Sequence, residues 1–287
     1  MLAATVLGLD LLLILFTGIA GVLGLIALLV AATFVLARVR SSPRPAPLGV
    51  WGQGKLWCGE IVAAWSIFLI AMPFERWLMP RDHAGPRTDS LPVLLIHGYV
   101  NNAGAMWRLR KALVHNGLRV YTLNLEPVYA SLDHYAPLIR ARIEAIVLQS
   151  GAPDVTLVCH SMGGLAARAY LRDCAQKKIA PGVAKAITLG SPHHGTVHAR
   201  IEFSPNGKQM APRNAWLADL AEHEHGAWAC PLVSVYSFDD NMVAPQLSAH
   251  LDGARNIALA GVGHMSLPLS RRVMAIVLRE IGQRETA

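Results

Sequence analysis

Apolar positions follow two regimes along this chain. From Leu11 to Ala37 they form a run with no charged residue; its length, about 27 residues, would extend roughly 40 Å as a helix, enough to cross a ~30 Å hydrocarbon core. A second apolar stretch, Leu56 to Phe74, is interrupted only by Glu60 and bordered by Trp57, Trp65 and Trp77, the aromatic ends that favour a membrane interface. Beyond a polar, turn-rich boundary at 81–90 the pattern changes to short β-branched runs separated by helix-length segments. It predicts strands at 92–96, 118–125, 155–159, 184–189, 231–237 and 255–260, with helices near 104–116, 135–150, 162–177 and 269–283. That alternation belongs to an α/β fold with a mostly parallel sheet covered on both faces. The interval 195–229 breaks the rhythm: Ser204-Pro205-Asn206-Gly207 reads as a turn, and 214–220 has helical character.

The chain therefore divides into a membrane-anchor region, 1–80, and a catalytic-size domain, 81–287. Within the anchor, 11–37 is read as a transmembrane helix and 56–74 as a second span or an interfacial helix. A secretory signal peptide would want a basic n-region and a shorter apolar core, whereas the only early charge is Asp10. The connecting segment Arg38-Val39-Arg40-Ser41-Ser42-Pro43-Arg44-Pro45-Ala46-Pro47 is basic and proline-rich and cannot continue a helix. It reads as a cytoplasmic loop of an inner-membrane protein. The positive-inside rule then puts the large domain in the periplasm if both segments span, and in the cytoplasm if only the first does.

Composition narrows the remaining classes. The net charge of +7 is dispersed, and no Lys/Arg run with interleaved aromatics suggests a nucleic-acid surface. The four cysteines, Cys58, Cys159, Cys174 and Cys230, lack C-x-x-C spacing, which argues against a zinc or redox site. Cys174 and Cys230 are the pair available for a disulfide in an exported domain. His193-His194 and His223-Glu224-His225 each lack a convincing third metal ligand.

The candidate chemistry lies in Leu157-Val-Cys-His-Ser-Met-Gly-Gly164, where a strand pattern delivers Ser161 into a tight turn and a helix pattern follows. Serine nucleophiles need a base to take the hydroxyl proton, a carboxylate to orient that base, and donors for the oxyanion. Downstream, each after a predicted strand, come Tyr236-Ser237-Phe238-Asp239-Asp240 and Gly261-Val262-Gly263-His264; upstream, Val93-Leu94-Leu95-Ile96 runs into His97-Gly98-Tyr99. The residues themselves leave Asp239 and Asp240 open as the acid. Gly163 and Gly164 permit the turn and close helix–strand packing; His160 should point away from the hydroxyl and line the pocket or pack. Cys159, at the strand end, reads as a small packing residue rather than a nucleophile.

This arrangement resembles the G-x-S-x-G nucleophile elbow and the Ser…Asp…His chain order of α/β-hydrolases, with Cys159 in place of the first glycine. Together with Gly190-Ser191-Pro192-His193-His194-Gly195-Thr196, it is similar to bacterial lipases and esterases, and the part after Tyr236 to the small Bacillus-type lipases. The resemblance implies a Ser161–Asp240–His264 triad. It also implies an oxyanion hole from the backbone N–H groups of Tyr99 and Met162, and a lid or acyl-pocket wall from 195–229. It further implies hydrolysis of lipid or small acyl esters without a cofactor, with acyl transfer or thioester hydrolysis as alternatives on the same triad, and a membrane-tethered interaction protein that has lost activity as the alternative outside enzymes.

Overall fold

The computed structural model describes residues 2–44, 46–79, 82, 90–224 and 228–282, with side chains from Leu13 onward. Most of the 81–90 boundary, His225 and the last residue of the expected 269–283 helix lie outside the described residues. A long helix, α1 (Leu2–Val39), is followed by α2 (Val50–Trp65), which continues through wider, π-type turns over Ser66–Ala71, and by a short α3 (Glu75–Leu78). Strand and helix then alternate: β1 (Val93–Ile96), α4 (Trp107–His115, entered through a 3-10 turn at Ala103–Met106), β2 (Val120–Leu123), α5 (Tyr135–Ser150), β3 (Val155–His160), α6 (Met162–Lys177) and β4 (Val183–Leu189). Two helices of the 195–229 interval follow, α7 (Pro205–Gln209) and α8 (Ala215–His223), then β5 (Leu232–Ser237), β6 (Arg255–Leu259) and α9 (Arg271–Gly282).

The six strands form one parallel sheet in the order β2-β1-β3-β4-β5-β6. Every residue of β1, β3 and β5 is buried, the signature of strands covered on both faces. One apolar core packs α5 and α6 through Ile139, Ile143, Ile146, Leu165 and Tyr170. The other packs α4 and α9 through Leu109, Leu113, Val273 and Val277. Because all six strands run parallel, their C-termini open on one edge, and ligands of open parallel sheets bind outside that edge. Ser161, the Asp239-Asp240 pair and the His264 loop all follow strand C-termini.

Two helical stretches, Leu13–Val39 and Val50–Ala71, are long and apolar enough to cross a membrane. They differ in what covers them. Leu13, Ile14, Leu15, Phe16 and Ile19 are exposed, whereas Val30, Phe34 and Ala37 are buried. The two helices form a hairpin in which Phe34 stacks on Trp57 with ring centroids 4.8 Å apart and the Trp65 indole donates to the Leu23 carbonyl (3.0 Å). α2 also packs on the large domain: Ile67 shares a cluster with Ala105 and Leu269. Asn102 Nδ2 donates to the Met72 carbonyl (3.1 Å).

All four cysteines are free. Cys174 and Cys230 are not bridged, which corrects the pairing considered from sequence: both thiols are buried in the core between α5, α6 and the sheet and serve there as small apolar side chains.

Candidate active site

β3 ends at His160 and α6 begins at Met162, leaving Ser161 alone to turn the chain, with φ 55 and ψ −126. A non-glycine residue at positive φ costs roughly 1–3 kcal/mol and persists only where its surroundings enforce it. Here the Ser161 N–H is held by the Leu189 carbonyl at 2.9 Å, and α6 presses against the end of β1. A Cβ added at Gly163 would sit 2.6 Å from the His97 carbonyl oxygen and 2.8 Å from that of Ile96. Those are backbone atoms that cannot yield, so the elbow requires glycine there; at Gly164 an added Cβ would meet the Ser191 side chain.

His264 stands over the hydroxyl: its Nε2 lies 2.9 Å from Ser161 Oγ and its Nδ1 lies 2.8 Å from Asp240 Oδ2. The other Asp240 oxygen accepts from the N–H groups of Met242 (2.8 Å) and Val243 (2.7 Å), which fixes the carboxylate plane. Asp239 faces elsewhere, accepting from the Gly261 N–H (2.7 Å) and pairing with Arg44 (2.8 Å). The geometry thus separates two neighbouring carboxylates that sequence left equivalent. Burial pulls the His264 pKa down, but the charge and hydrogen bond of Asp240, with the charge of Glu60, more than offset this and leave it raised.

Met162 is the first residue of α6, so its N–H is among those a helix leaves without an intrahelical partner. Tyr99 lies in the loop after β1, which runs against the nucleophile so closely that a Cβ on Gly98 would come 2.8 Å from Ser161 Cβ. That loop is tied down by His97. Its Nδ1 lies 2.8 Å from the Gly98 carbonyl, and its Nε2 accepts the Leu125 N–H at 3.0 Å. One nitrogen donating and the other accepting defines a neutral ring, in keeping with burial, which lowers its pKa to about 4 against the opposing effect of the Gly98 hydrogen bond.

His160 is fully buried and does not reach Ser161; its Nε2 lies 3.2 Å from the His264 carbonyl oxygen, so it braces the histidine loop. Cys159 is buried between Ile96 and Thr188 of the flanking strands, and burial pushes its thiol pKa far up, which removes it as a nucleophile. Cys159→Ala is expected to keep the hydrolytic rate within a few-fold while lowering stability by about 1–2 kcal/mol. Cys159→Leu should overpack the elbow and cost about 1–3 kcal/mol; denaturant melts and initial rates on both variants check this.

His193 is buried beside Arg168, with Nε2 3.1 Å from Thr188 Oγ1. Arg168 in turn pairs with Glu224. These residues pin the 195–229 interval to α6. Among the described residues no group of three or more His, Cys, Asp or Glu is disposed to hold a metal ion. A cavity of about 250 Å³ opens on Ser161 and His264, walled by Phe68, Val100, Met210, Met242, Val243 and Met265, among others.

Sequence reasoning missed the contribution of the N-terminal segment: Thr33, Arg44 and Glu60 all contact the acid or histidine loops. One signal was available. A lone carboxylate inside an apolar helical run must find partners when that run is buried, and Glu60 was such a residue.

A sequence profile of the palmitoyl protein thioesterase family matches residues 92–228, which includes the loop after β1 and the elbow but stops short of Asp240 and His264. The lysosomal thioesterase PPT2 of Mus musculus is 31% identical over 182 residues, 56% of this chain and 58% of that protein. A triacylglycerol lipase of Pseudarthrobacter phenanthrenivorans is 28% identical over 116 residues, 38% of this chain and 35% of that protein. This chain thus spans less than two thirds of the length of these relatives. Among solved structures, the mature Bacillus licheniformis lipase BlEst2 superposes with a TM-score of 0.60 at 16% identity, covering 68% of this chain and 93% of that one. Aspergillus fumigatus lipase B gives 0.61 at 20% identity, covering 70% and 54%. The chain has the α/β-hydrolase fold.

Proposed function

We propose that this protein is a membrane-anchored serine hydrolase that cleaves acyl esters through an acyl-enzyme on Ser161. The observation that carries the reading is the continuous relay from Ser161 Oγ through His264 to Asp240, 2.9 Å and 2.8 Å long. In this mechanism Ser161 Oγ attacks the acyl carbon as His264 Nε2 takes its proton, while the N–H groups of Met162 and Tyr99 receive the developing oxyanion. His264 returns the proton to the leaving alcohol, and a water activated by the same nitrogen releases the acid. The apolar cavity walled by Met210 and Val243 suits the acyl chain. The 195–229 segment serves as its wall, since Tyr99 Oη bonds Glu202 (2.7 Å) and Ser204 (2.8 Å) from that segment.

A thioester is the second reading, favoured by the thioesterase profile over 92–228; the same relay would expel a thiol. The test is a matched panel: p-nitrophenyl esters and acyl thioesters of equal chain length, assayed with full-length protein in detergent, alongside labelling with a fluorophosphonate. Labelling together with ester turnover is the expected result. A thioester kcat/KM exceeding that of the ester by tenfold or more would move the substrate class, and a protein that neither labels nor turns over either series would overturn both readings.

For the membrane, we propose that only the exposed part of α1 before Val30 spans, because Val30 and Phe34 pack on α2 and Thr33 holds Asn241 of the acid loop. α2 is held on the catalytic domain by the buried carboxylate of Glu60, and a helix engaged with the histidine loop is not available to cross a bilayer. With one span, Arg38, Arg40 and Arg44 retain the domain on the cytoplasmic side.

A further inference from the structure

Glu60 lies on the second N-terminal helix, more than two hundred residues from the histidine loop in sequence, yet it is completely buried and that loop is wrapped around it. Its Oε1 accepts the Met265 N–H at 2.6 Å, and its Oε2 accepts the Ser266 N–H at 3.0 Å and the Ser266 hydroxyl at 2.7 Å. Gly263 passes so near that an added Cβ would collide with the Glu60 carboxylate. The contact flanks His264 on both sides in sequence.

A second strut comes from α1. Asn241 Oδ1 accepts the His264 N–H at 3.1 Å, and Asn241 Nδ2 donates to Thr33 Oγ1 at 2.7 Å. Thr33 Oγ1 itself donates to the Val30 carbonyl at 2.7 Å. The acid loop is held from the same segment. Arg44 pairs with Asp239 at 2.8 Å, the Ser42 N–H donates to Gln246 Oε1 at 2.9 Å, and Gln246 Nε2 donates to the Asp240 carbonyl at 2.9 Å.

We infer that the N-terminal helical hairpin is part of the catalytic apparatus, with Glu60 as a positioning residue that orients the His264 loop and supports the charged imidazolium formed when Ser161 gives up its proton. This rests on the reading of Ser161, His264 and Asp240 as a hydrolytic triad. A structural tether would need only an apolar contact at this place; burying a carboxylate is costly, and three donors converging on it make the site specific for a negative charge. Asp240 reaches Nδ1 from the acid loop. Burial raises the pKa of Glu60 against the Met265 and Ser266 hydrogen bonds and the His264 charge, all of which favour its carboxylate, and that carboxylate adds its charge to the imidazolium from the second N-terminal helix. The remaining titratable groups near the ring are His160, centroid 4.8 Å away, and His198. Burial holds both low, His160 well below the ordinary value, so neither competes as a charge at neutral pH.

The sign of the pH effect follows. His264 must be neutral to accept the Ser161 proton, and its pKa is raised. The acid limb of kcat/KM therefore lies above the ordinary histidine value of about 6.5, with activity rising as pH climbs through it. Removing the Glu60 charge makes the imidazolium less favourable, so the limb moves down.

The experiment uses full-length protein in detergent, a soluble p-nitrophenyl ester, and fluorophosphonate titration to count competent sites. Glu60→Gln is expected to lower kcat per titrated site by roughly 10- to 100-fold with KM little changed. It should also shift the acid limb of kcat/KM down by about 0.5–1 pH unit. Thr33→Val, which removes the uncharged bond from Asn241 and the local bond to the Val30 carbonyl at a partly exposed position, should lower kcat several-fold and leave the limb in place; it also supplies the test if Glu60→Gln does not fold. Unchanged kcat per site in both variants, or a Glu60→Gln loss confined to the number of titratable sites, would overturn the inference while leaving the triad standing. A wild-type protein that takes up no fluorophosphonate would remove the triad reading, and this inference with it.

Discussion

Replacing Ser161 by alanine is expected to lower kcat toward a p-nitrophenyl ester by about 10⁵- to 10⁶-fold, the scale seen when a triad loses its nucleophile. Fluorophosphonate labelling should disappear with it. The loss is chemical rather than structural. Alanine keeps the Cβ at φ 55 and so neither relieves nor adds backbone strain, and the Ser161 N–H bond to Leu189 is made by backbone. The melting temperature should therefore stay within a few degrees of the parent, leaving rate and labelling as the discriminating measurements. Activity within tenfold of wild type would take the nucleophile away from this elbow.

Asp240→Asn should reduce kcat by about 10⁴-fold, through the tautomer of the histidine. The N–H groups of Met242 and Val243 both point at Asp240 Oδ1, so an amide at this position must turn its oxygen toward them and its NH₂ toward His264 Nδ1. A donor there forces the imidazole proton onto Nε2, facing Ser161, where it blocks acceptance of the hydroxyl proton. Asp239→Asn carries no such penalty. It weakens the Arg44 ion pair but retains an acceptor for the Gly261 N–H, and a loss below tenfold is expected. Rates for the two variants, measured side by side on the same ester, decide the acid; a collapse in Asp239→Asn with Asp240→Asn spared would exchange their roles.

The two aspartates mark where sequence stops. The strand before them and the order Ser161, acid, His264 were legible because they are local patterns repeated in a fixed chain order. Which carboxylate turns toward the imidazole depends on the loop path after β5, set by Gln246, Arg44 and the Met242 and Val243 amides, and no periodicity encodes that path. The places of Tyr99 and Met162 in the fold were legible: one follows β1 and the other opens α6 after Ser161, and their part as oxyanion donors belongs to the proposed mechanism. Cys159 was legible as a packing residue because its position at the strand end demands small volume, and its complete burial gives the physical reason.

Hydropathy reads the N-terminal helices as apolar length. Their contacts with the large domain were invisible to it. Glu60 is the one charge in the apolar stretch 56–74, and a single charge in a window of that length barely changes mean hydropathy. What the residue does depends on three donors about 205 positions away along the chain. The exposed apolar face of α1 around Leu13–Ile19 and the buried face around Val30–Ala37 are likewise one run in sequence and two environments in space.

By itself the sequence determined the alternation of strands and helices, the tight turn at Ser161 and the chain order of the candidate catalytic groups, because each rests on side-chain period or on local steric demands of the backbone. Tertiary structure alone decided which aspartate meets His264, how the loop after β1 reaches Ser161, and that a hairpin apolar enough for a membrane lends Thr33, Arg44 and Glu60 to the active-site loops. Those are long-range choices made by burial: a polar group removed from water must find its partner wherever the fold brings one, and the distance along the chain is no guide to where that will be.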